Sequence, residues 1–286
     1  MGSMLDPSWA LTRPILGLAL AALVALLVLR TVRKDRREYQ RFKRYRTTAK
    51  RQAMFRKWLL DSFVSFGGLS VALLLLAGQF VGPLLRDVQS WEFVAWVRSL
   101  RGDGVFIGLV VGVVVGLVVL TLVGIRAARK EQEIMTVGDI QAMLPRNKQE
   151  LRLGAVMSVN AGVFEELVFR LGMPALVFGA TGSAAAAVVF SLLLFGALHL
   201  YQGPAGVIGT AVVGALMMAL YAITGSIAVP IVLHALFDLR SLVLIPTAIY
   251  GVHRIDGTKR PFIGKLAVPA PPAPETAPAS EPQPPL

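Results

Sequence analysis

Long apolar runs, separated by short polar segments, occupy most of this chain. Runs free of Asp, Glu, Lys and Arg extend over residues 14–29, 62–85 and 104–125, and a further one covers residues 171–237. An α-helix needs roughly 20 apolar residues to cross the hydrocarbon core of a bilayer. The pattern therefore predicts an all-α fold, a polytopic helical membrane protein with about seven to eight transmembrane helices.

Clusters of glycine, proline and threonine between the runs predict where the individual spans begin and end. The strongest turn signals lie at residues 179–182, 202–204 and 224–226. Residues 83–104 carry balanced charges and several aromatic side chains, which is typical of a helix that lies in the headgroup region. The predicted spans cover residues 14–29, 58–81, 105–125, 151–178, 183–200, 205–223 and 227–249.

The composition supports a membrane protein. Hydrophobic residues make up 55% of the chain and the mean hydropathy is +0.64, which is too apolar for an ordinary soluble domain. No basic segment precedes the first apolar run and no small-residue cleavage site follows it, so this run is expected to be a retained span. Cysteine is absent, which excludes disulfides, a thiol nucleophile and thiolate metal sites.

The net charge of +12 is concentrated in one segment. Residues 30–57 contain 13 Lys or Arg against Asp35 and Glu38. Aromatic residues are interleaved with these basic residues, so a nucleic-acid-binding surface is an alternative interpretation of the segment. We favour a cytoplasmic basic loop between two spans, as the positive-inside rule predicts, with anionic lipid as its partner and no nucleic acid. This orientation places the N-terminus outside and the C-terminus in the cytoplasm, and the composition is typical of a bacterial inner membrane.

A few ionisable residues interrupt the apolar region between residues 151 and 250. An ionisable side chain near the bilayer centre costs on the order of 2.5–3.5 kcal/mol, so such residues are rare without a function. The acidic and basic residues of this region are Arg152, Glu165, Glu166, Arg170, Asp238 and Arg240. Two adjacent acids followed by a base are the most unusual feature of the chain.

The spacing of these three charges predicts two different roles for the adjacent glutamates. Glu166 and Arg170 are four residues apart, which places them on one helix face in the favourable order for an ion pair. Glu165 is rotated by about 100 degrees from Glu166 because a helix has 3.6 residues per turn. One acid is thus neutralised locally, and Glu165 remains as the candidate general base.

Two of the three histidines lie in the same apolar region. His199 follows Phe195 by four residues, and His234 precedes Asp238 by four residues. A single buried histidine is more often a packing residue, but two of them beside an unpaired glutamate and an aspartate favour catalysis. Counted from the turn near residue 182 at 1.5 Å per residue, Glu165 and His199 reach a similar depth.

These motifs, taken together, resemble the CPBP family of intramembrane proteases, which includes the type II CAAX prenyl endopeptidases and the Abi proteins. The family pattern is Glu-Glu-three residues-Arg, then Phe-three residues-His, then His-three residues-Asn or Asp. The matching residues, in order, are Glu165, Glu166, Arg170, Phe195, His199, His234 and Asp238.

The resemblance implies an all-helical core with an intramembrane catalytic cavity and hydrolysis by a water activated on the first glutamate. By position, Glu165 and His199 would activate the water, and His234 and Asp238 would stabilise the oxyanion. Glu166 and Arg170, with Phe195 beside them, would support the site. The expected substrate is a membrane-associated protein or a lipid-modified peptide, and the expected reaction is cleavage of one of its peptide bonds.

Asp238 leaves a second mechanism open. An asparagine at this position donates a hydrogen bond to an oxyanion, whereas an aspartate donates only when protonated. An ionised Asp238 would instead orient His234, or join Glu165, His199 and His234 in a zinc site. We favour the mechanism without a metal or other cofactor and keep zinc as the alternative.

The sequence excludes several other classes of membrane protease and leaves two non-protease functions as alternatives. The sequence lacks the His-Glu-x-x-His, rhomboid-type Gly-x-Ser-Gly and Gly-x-Gly-Asp motifs of other membrane proteases. A non-proteolytic scaffold or immunity protein and a small ion-coupled transporter remain as alternatives. The domain division expected is an N-terminal span and basic loop (1–57), two further spans (58–150), the catalytic core (151–250) and a Pro-rich cytoplasmic tail (251–286).

Overall fold

The computed structural model describes residues 10–100, 104, 108, 111–112, 115–116, 118–119, 121–126 and 139–257. Regular secondary structure in these ranges is helical, which confirms the predicted all-α class. Residues 121–126 are also helical and form part of an element whose remainder lies outside the described residues. The other main helices are α1 (Thr12–Lys43), α2 (Thr48–Gln89), α3 (Glu92–Ser99), α4 (148–181), α5 (Ala184–Leu198), α6 (Leu200–Thr224) and α7 (Ala228–Tyr250).

Polar caps and left-handed glycines define the ends of the central helices. The Asn147 side chain accepts a hydrogen bond from the Glu150 N–H at 2.9 Å and so caps the start of α4. Gly182, at φ +74°, ends α4, and Gly225, at φ +71°, separates α6 from α7. Both glycines fall where the sequence predicts turns, since glycine adopts this conformation without steric cost.

Helix α4 is the centre of the fold. It packs against α1, α2, α5 and α7. It approaches the backbone of α7 closely, since a Cβ on Gly162 would lie 2.8 Å from the backbone nitrogen of Ala235. A larger side chain at residue 162 would therefore push α7 away, and with it every α7 side chain that faces α4.

The distribution of apolar side chains is that of a protein in lipid. Large apolar residues lie exposed on the outer faces, such as Leu18 at 74% and Leu193 at 67%, whereas charged Glu166 and Arg170 are 0% and 1% exposed. In the described part of the chain, four helices are long and apolar enough to cross a membrane: α1, α2, α6 and α7. The protein is therefore an integral membrane protein.

The predicted spans agree with the observed helices in position more closely than in number. Six of the seven predicted ranges overlap α1, α2, α4, α5, α6 and α7. By length and composition, α5 is shorter than a full span, and α4 carries three charges in its middle. The predicted third span, 105–125, lies largely outside the described residues, as does the Pro-rich part of the tail from residue 258 onward.

The basic segment that connects the first two predicted spans is helical for most of its length. It forms the second half of α1, a break at residues 44–47, and the start of α2. Arg51 is 1% exposed: its Nη2 lies 3.0 Å from Glu150 Oε2, and it also donates to the carbonyl oxygen of Leu144. This buried pair joins the start of α2 to the start of α4, a packing role that a count of charges does not reveal.

Candidate active site

The two adjacent glutamates lie where α4 changes its helical pitch. Residues Lys148–Glu166 are α-helical, Leu167–Gly172 form a π-helical turn, and α-helix resumes at Met173. Single π turns inside α-helices are frequent at functional sites. Glu166 is fully buried, whereas Glu165 is partly exposed and faces a cavity.

Glu166 is held on one side by Arg170. Arg170 Nη2 donates to Glu166 Oε1 at 3.2 Å, and Arg170 Nε lies 3.0 Å from Glu166 Oε2 without hydrogen-bond alignment. The guanidinium group also lies over the ring of Phe195, 4.9 Å from its centroid. The pair expected from the i,i+4 spacing is thus present, and the aromatic face adds a second contact for the buried cation.

His234 holds Glu166 on the other side. Its Nδ1 lies 2.7 Å from Glu166 Oε1, and its Nε2 lies 3.8 Å from Asp238 Oδ2. Because the Glu166 carboxylate accepts, Nδ1 of His234 donates. Glu166 therefore bridges Arg170 of its own helix to His234 of α7, a contact across 68 residues of sequence that sequence reasoning missed.

His199 lies at the junction of α5 and α6. Its Nδ1 is 2.8 Å from the carbonyl oxygen of Phe195. A carbonyl can only accept, so Nδ1 carries the proton and the lone pair of Nε2 is free in the neutral ring. The Phe195 ring contacts both histidines, with centroids 4.9 Å from His199 and 6.4 Å from His234.

A cavity of about 190 Å³ lies between α1, α2, α4 and the α5–α6 junction. Glu165 and His199 both line it, so the structure brings these two sequence-predicted residues to one space. His234 and Asp238 do not belong to the lining described for this cavity. His234 nevertheless contacts Glu166, the neighbour of Glu165, and the Phe195 ring contacts both histidines, so the candidates lie in one region of the fold.

Polar residues outside the predicted motifs also face the cavity. The wall includes Asn160 from α4 and Ser62 from α2, whose hydroxyl donates to Asn160 Oδ1 at 2.6 Å. Tyr39 and Tyr201 line it as well, with their rings in edge contact at 5.4 Å between centroids. Their spacing carries no known motif, and the sequence offers no signal that would have singled them out.

The rim of the cavity is tied to the basic half of α1 through Asp139. The Tyr39 hydroxyl donates to the carbonyl oxygen of Asp139, and Lys43 pairs with its carboxylate. The Asp139 N–H donates to the carbonyl oxygen of Gln202 at 2.8 Å, three residues beyond His199. The loop before α4 is thereby fixed next to the candidate active site.

The candidate ligands do not converge as a metal site requires. Within the residues that the structure describes, no group of three or more His, Asp or Glu side chains is placed to hold a metal ion. Zinc requires three or four ligands at about 2 Å from one point. Glu166, which contacts His234, is already engaged in an ion pair with Arg170.

The arrangement can support hydrolysis by an activated water. Glu165 forms no hydrogen bond or ion pair with another described residue, so its carboxylate is available to take a proton. His199 offers Nε2 to the same cavity. A carboxylate and an imidazole that line one largely apolar cavity are the parts of a general-base site.

Comparison with known proteins gives one family. Residues 147–240 match the family model described as type II CAAX prenyl endopeptidase Rce1-like. The matched segment is about a third of the chain and contains α4, α5, α6 and the charged half of α7. No curated protein and no solved structure matches the chain.

Proposed function

We propose that the protein is an intramembrane endopeptidase, because residues 147–240 match the family model described as type II CAAX prenyl endopeptidase Rce1-like. Its substrate is a membrane-associated or lipid-modified protein, of which it hydrolyses one peptide bond. The observation that carries the proposal is the meeting of Glu165 and His199 in one cavity of the membrane core, beside a Glu166 that is neutralised by Arg170.

Glu165 acts as the general base in this proposal. A water molecule lies between Glu165 and Nε2 of His199, gives a proton to the carboxylate and attacks the scissile carbonyl carbon. The carbonyl π electrons move to oxygen, giving a tetrahedral oxyanion. Glu165 then returns the proton to the leaving nitrogen, the C–N bond breaks, and a carboxylic acid and an amine are released. His199 orients the water because its Nδ1–H is fixed on the carbonyl of Phe195.

His234 and Asp238 complete the site next to Glu165. The family resemblance assigns them to the oxyanion, and their contact at 3.8 Å keeps the imidazole edge beside the carboxyl group. Glu166 and Arg170 act through His234: the carboxylate holds Nδ1, so the ring of His234 has one orientation. Phe195 fills the space between the two histidines.

The proposed reaction uses no metal or other cofactor, and removal of divalent metals tests this. We expect the hydrolysis rate of the purified protein to stay unchanged after EDTA and 1,10-phenanthroline, because Glu165 rather than a Lewis acid activates the water. The measurement is product formation before and after chelation. A rate that is lost on chelation and restored by zinc would instead support the zinc alternative.

We also propose that the cavity lies toward the cytoplasmic half of the bilayer. Arg30, Asp35 and Tyr39 line the cavity from the basic part of α1, and the positive-inside rule puts this part on the cytoplasmic side of a bacterial inner membrane. The N-terminus is then outside and the C-terminus inside. The exposed arginines of this segment face anionic headgroups, with lipid rather than nucleic acid as the partner.

Single cysteines test this orientation, since the chain has none of its own. Arg37 and Ser90 are both exposed and lie near opposite ends of the α1–α2 pair. In intact bacterial spheroplasts, a membrane-impermeant maleimide should label Ser90→Cys and should label Arg37→Cys only after permeabilisation. The reverse labelling pattern would mean that the basic segment is outside.

The endopeptidase proposal is tested by comparative proteomics of membrane fractions from cells that express the wild type or Glu165→Gln. We expect a small set of membrane-associated proteins to be shortened in the wild-type sample and intact in the variant sample. Identical fragment patterns at equal expression of both forms would contradict an endopeptidase. Proton-coupled solute flux in liposomes with the same identical patterns would favour a transporter.

A further inference from the structure

Peptide hydrolysis, if the proposed function holds, places negative charge on the carbonyl oxygen, and a donor must meet it. A catalytic donor has to reach the cavity in which Glu165 and His199 act. The wall of that cavity contains polar groups from four elements. The question is which of them carries a proton that is free to donate.

His234 and Asp238 donate only in particular protonation states. His234 gives its Nδ1–H to Glu166, so its Nε2 carries a proton only in the imidazolium form. Asp238 donates only when its carboxyl group is protonated. In addition, neither residue lies in the described lining of the cavity. The pair is therefore a conditional source of hydrogen bonds.

The Asn160 amide, in contrast, can donate a hydrogen bond whatever the protonation state of the site. From the cavity wall and the contacts of its side chain, we infer that Asn160 is a further catalytic residue whose amide N–H donates to the oxyanion. Asn160 lines the cavity and is 9% exposed. Its Oδ1 accepts the hydroxyl hydrogen bond of Ser62 at 2.6 Å, so the contact with α2 uses the amide oxygen and leaves the NH₂ group free to donate.

The amide group of Asn160 is not used elsewhere in the described structure. Its Nδ2 donates to no described residue and is not among the buried atoms that lack a partner, so it reaches open space. An amide carries two N–H donors at every pH. A buried donor on the wall of a largely apolar cavity is the preorganised arrangement that stabilises developing charge.

The position of Asn160 on α4 matches this role. Met157, Ala161, Glu165 and Phe169 line the cavity at intervals of four residues and so form one face of the helix. Asn160 lies beside this face, five residues before Glu165, and contacts α2 through Ser62. A carbonyl attacked by a water on Glu165 thus has the amide on the side of the cavity where α2 and α4 meet.

Kinetics of Asn160 variants test the inference. We expect Asn160→Ala and the isosteric Asn160→Asp each to lower kcat by about 10²–10³-fold with KM little changed, as the loss of one oxyanion donor does elsewhere. Ser62→Ala removes the bond between α2 and α4 but keeps the amide, and should lower kcat far less. Ser158→Ala is the matched control, since Ser158 bonds only to Gly154 of its own helix and does not line the cavity.

The outcomes separate the inference from the function on which it rests. The probe is a fluorogenic peptide spanning a cleavage site found by proteomics, assayed with the purified full chain in detergent or nanodiscs. Wild-type cleavage with a kcat near wild type in Asn160→Ala overturns the inference alone. Equal losses in Asn160→Ala and Ser62→Ala, together with equal falls in the unfolding midpoint, mean a structural role and also overturn it. No cleavage by the wild type overturns both proposals.

Discussion

Glu165→Gln is expected to remove hydrolysis while leaving the protein folded. The variant keeps the size and hydrogen-bonding capacity of the side chain, but an amide cannot take a proton from water. Loss of a general base typically costs about 10²–10⁴-fold in rate. Because Glu165 has no ion pair with another described residue and faces a cavity, its neutralisation leaves no buried partner charge. The measurement is kcat of the purified variant against wild type.

A matched control distinguishes this effect from a general loss of charge. Glu92 is exposed on α3, away from the cavity, so Glu92→Gln should retain the wild-type rate. We expect kcat to fall in His199→Ala as it does in Glu165→Gln, since His199→Ala removes the group that orients the water. Full activity in purified Glu165→Gln would contradict the assignment of Glu165 as the general base, whatever the activity of His199→Ala.

Glu166→Ala and Arg170→Ala are expected to destabilise the protein by about 3–5 kcal/mol, the usual result of removing one partner of a buried ion pair. Both side chains have nearly zero exposure. Removal of Glu166 leaves Arg170 uncompensated and frees His234, whereas removal of Arg170 leaves the Glu166 carboxylate with His234 alone. Thermal unfolding in detergent measures the loss.

An exposed pair of the same spacing supplies the control for this prediction. Lys57 and Asp61 are four residues apart on α2, with Nζ 2.7 Å from Oδ2, and their side chains are 44% and 29% exposed; Lys57 Nζ also lies 2.7 Å from Glu38 Oε1. Exposed pairs contribute about 0–1 kcal/mol, so Lys57→Ala should change the unfolding midpoint little. Similar falls in the unfolding midpoint for Lys57→Ala and Arg170→Ala would mean that burial does not increase the contribution of the Glu166–Arg170 pair to stability.

Local features of the fold were predictable from the sequence because they depend on nearby residues. The turns at Gly182 and Gly225 follow from the conformational freedom of glycine, and the apolar runs locate the helices between them. The ion pair between Glu166 and Arg170 follows from helical geometry alone. The meeting of Glu165 and His199 followed from counting depth along two helices joined by a short turn.

Long-range pairings could not be read from the sequence. The contact between Glu166 and His234 joins residues 68 positions apart, and that between Arg51 and Glu150 joins residues 99 positions apart. Charge counting assigns Arg51 to a solvated basic loop, because composition cannot say which cation of a cluster faces inward. Which helix faces meet is decided by packing, for example where Gly162 admits Ala235.

The sequence predicted that Glu165 and His199 lie close together, but it gave no sign of the neutral residues that line the cavity with them. Asn160 carries no charge and belongs to no spaced motif, so its place in the cavity depends on α2 and on the Ser62 hydroxyl. The π turn at Leu167–Gly172, which follows both glutamates, likewise has no sequence signal. Neutral donors and changes of helical pitch are visible only once the helices are assembled.

The central claim is that two adjacent glutamates on one helix have different tasks, and one experiment on the isosteric variants tests it most directly. Glu165→Gln and Glu166→Gln are purified in parallel, and thermal unfolding and hydrolysis are measured on the same samples. The account predicts an inactive Glu165→Gln with a wild-type unfolding midpoint and a Glu166→Gln whose midpoint falls sharply. Equal falls in stability, or an active Glu165→Gln, would contradict it.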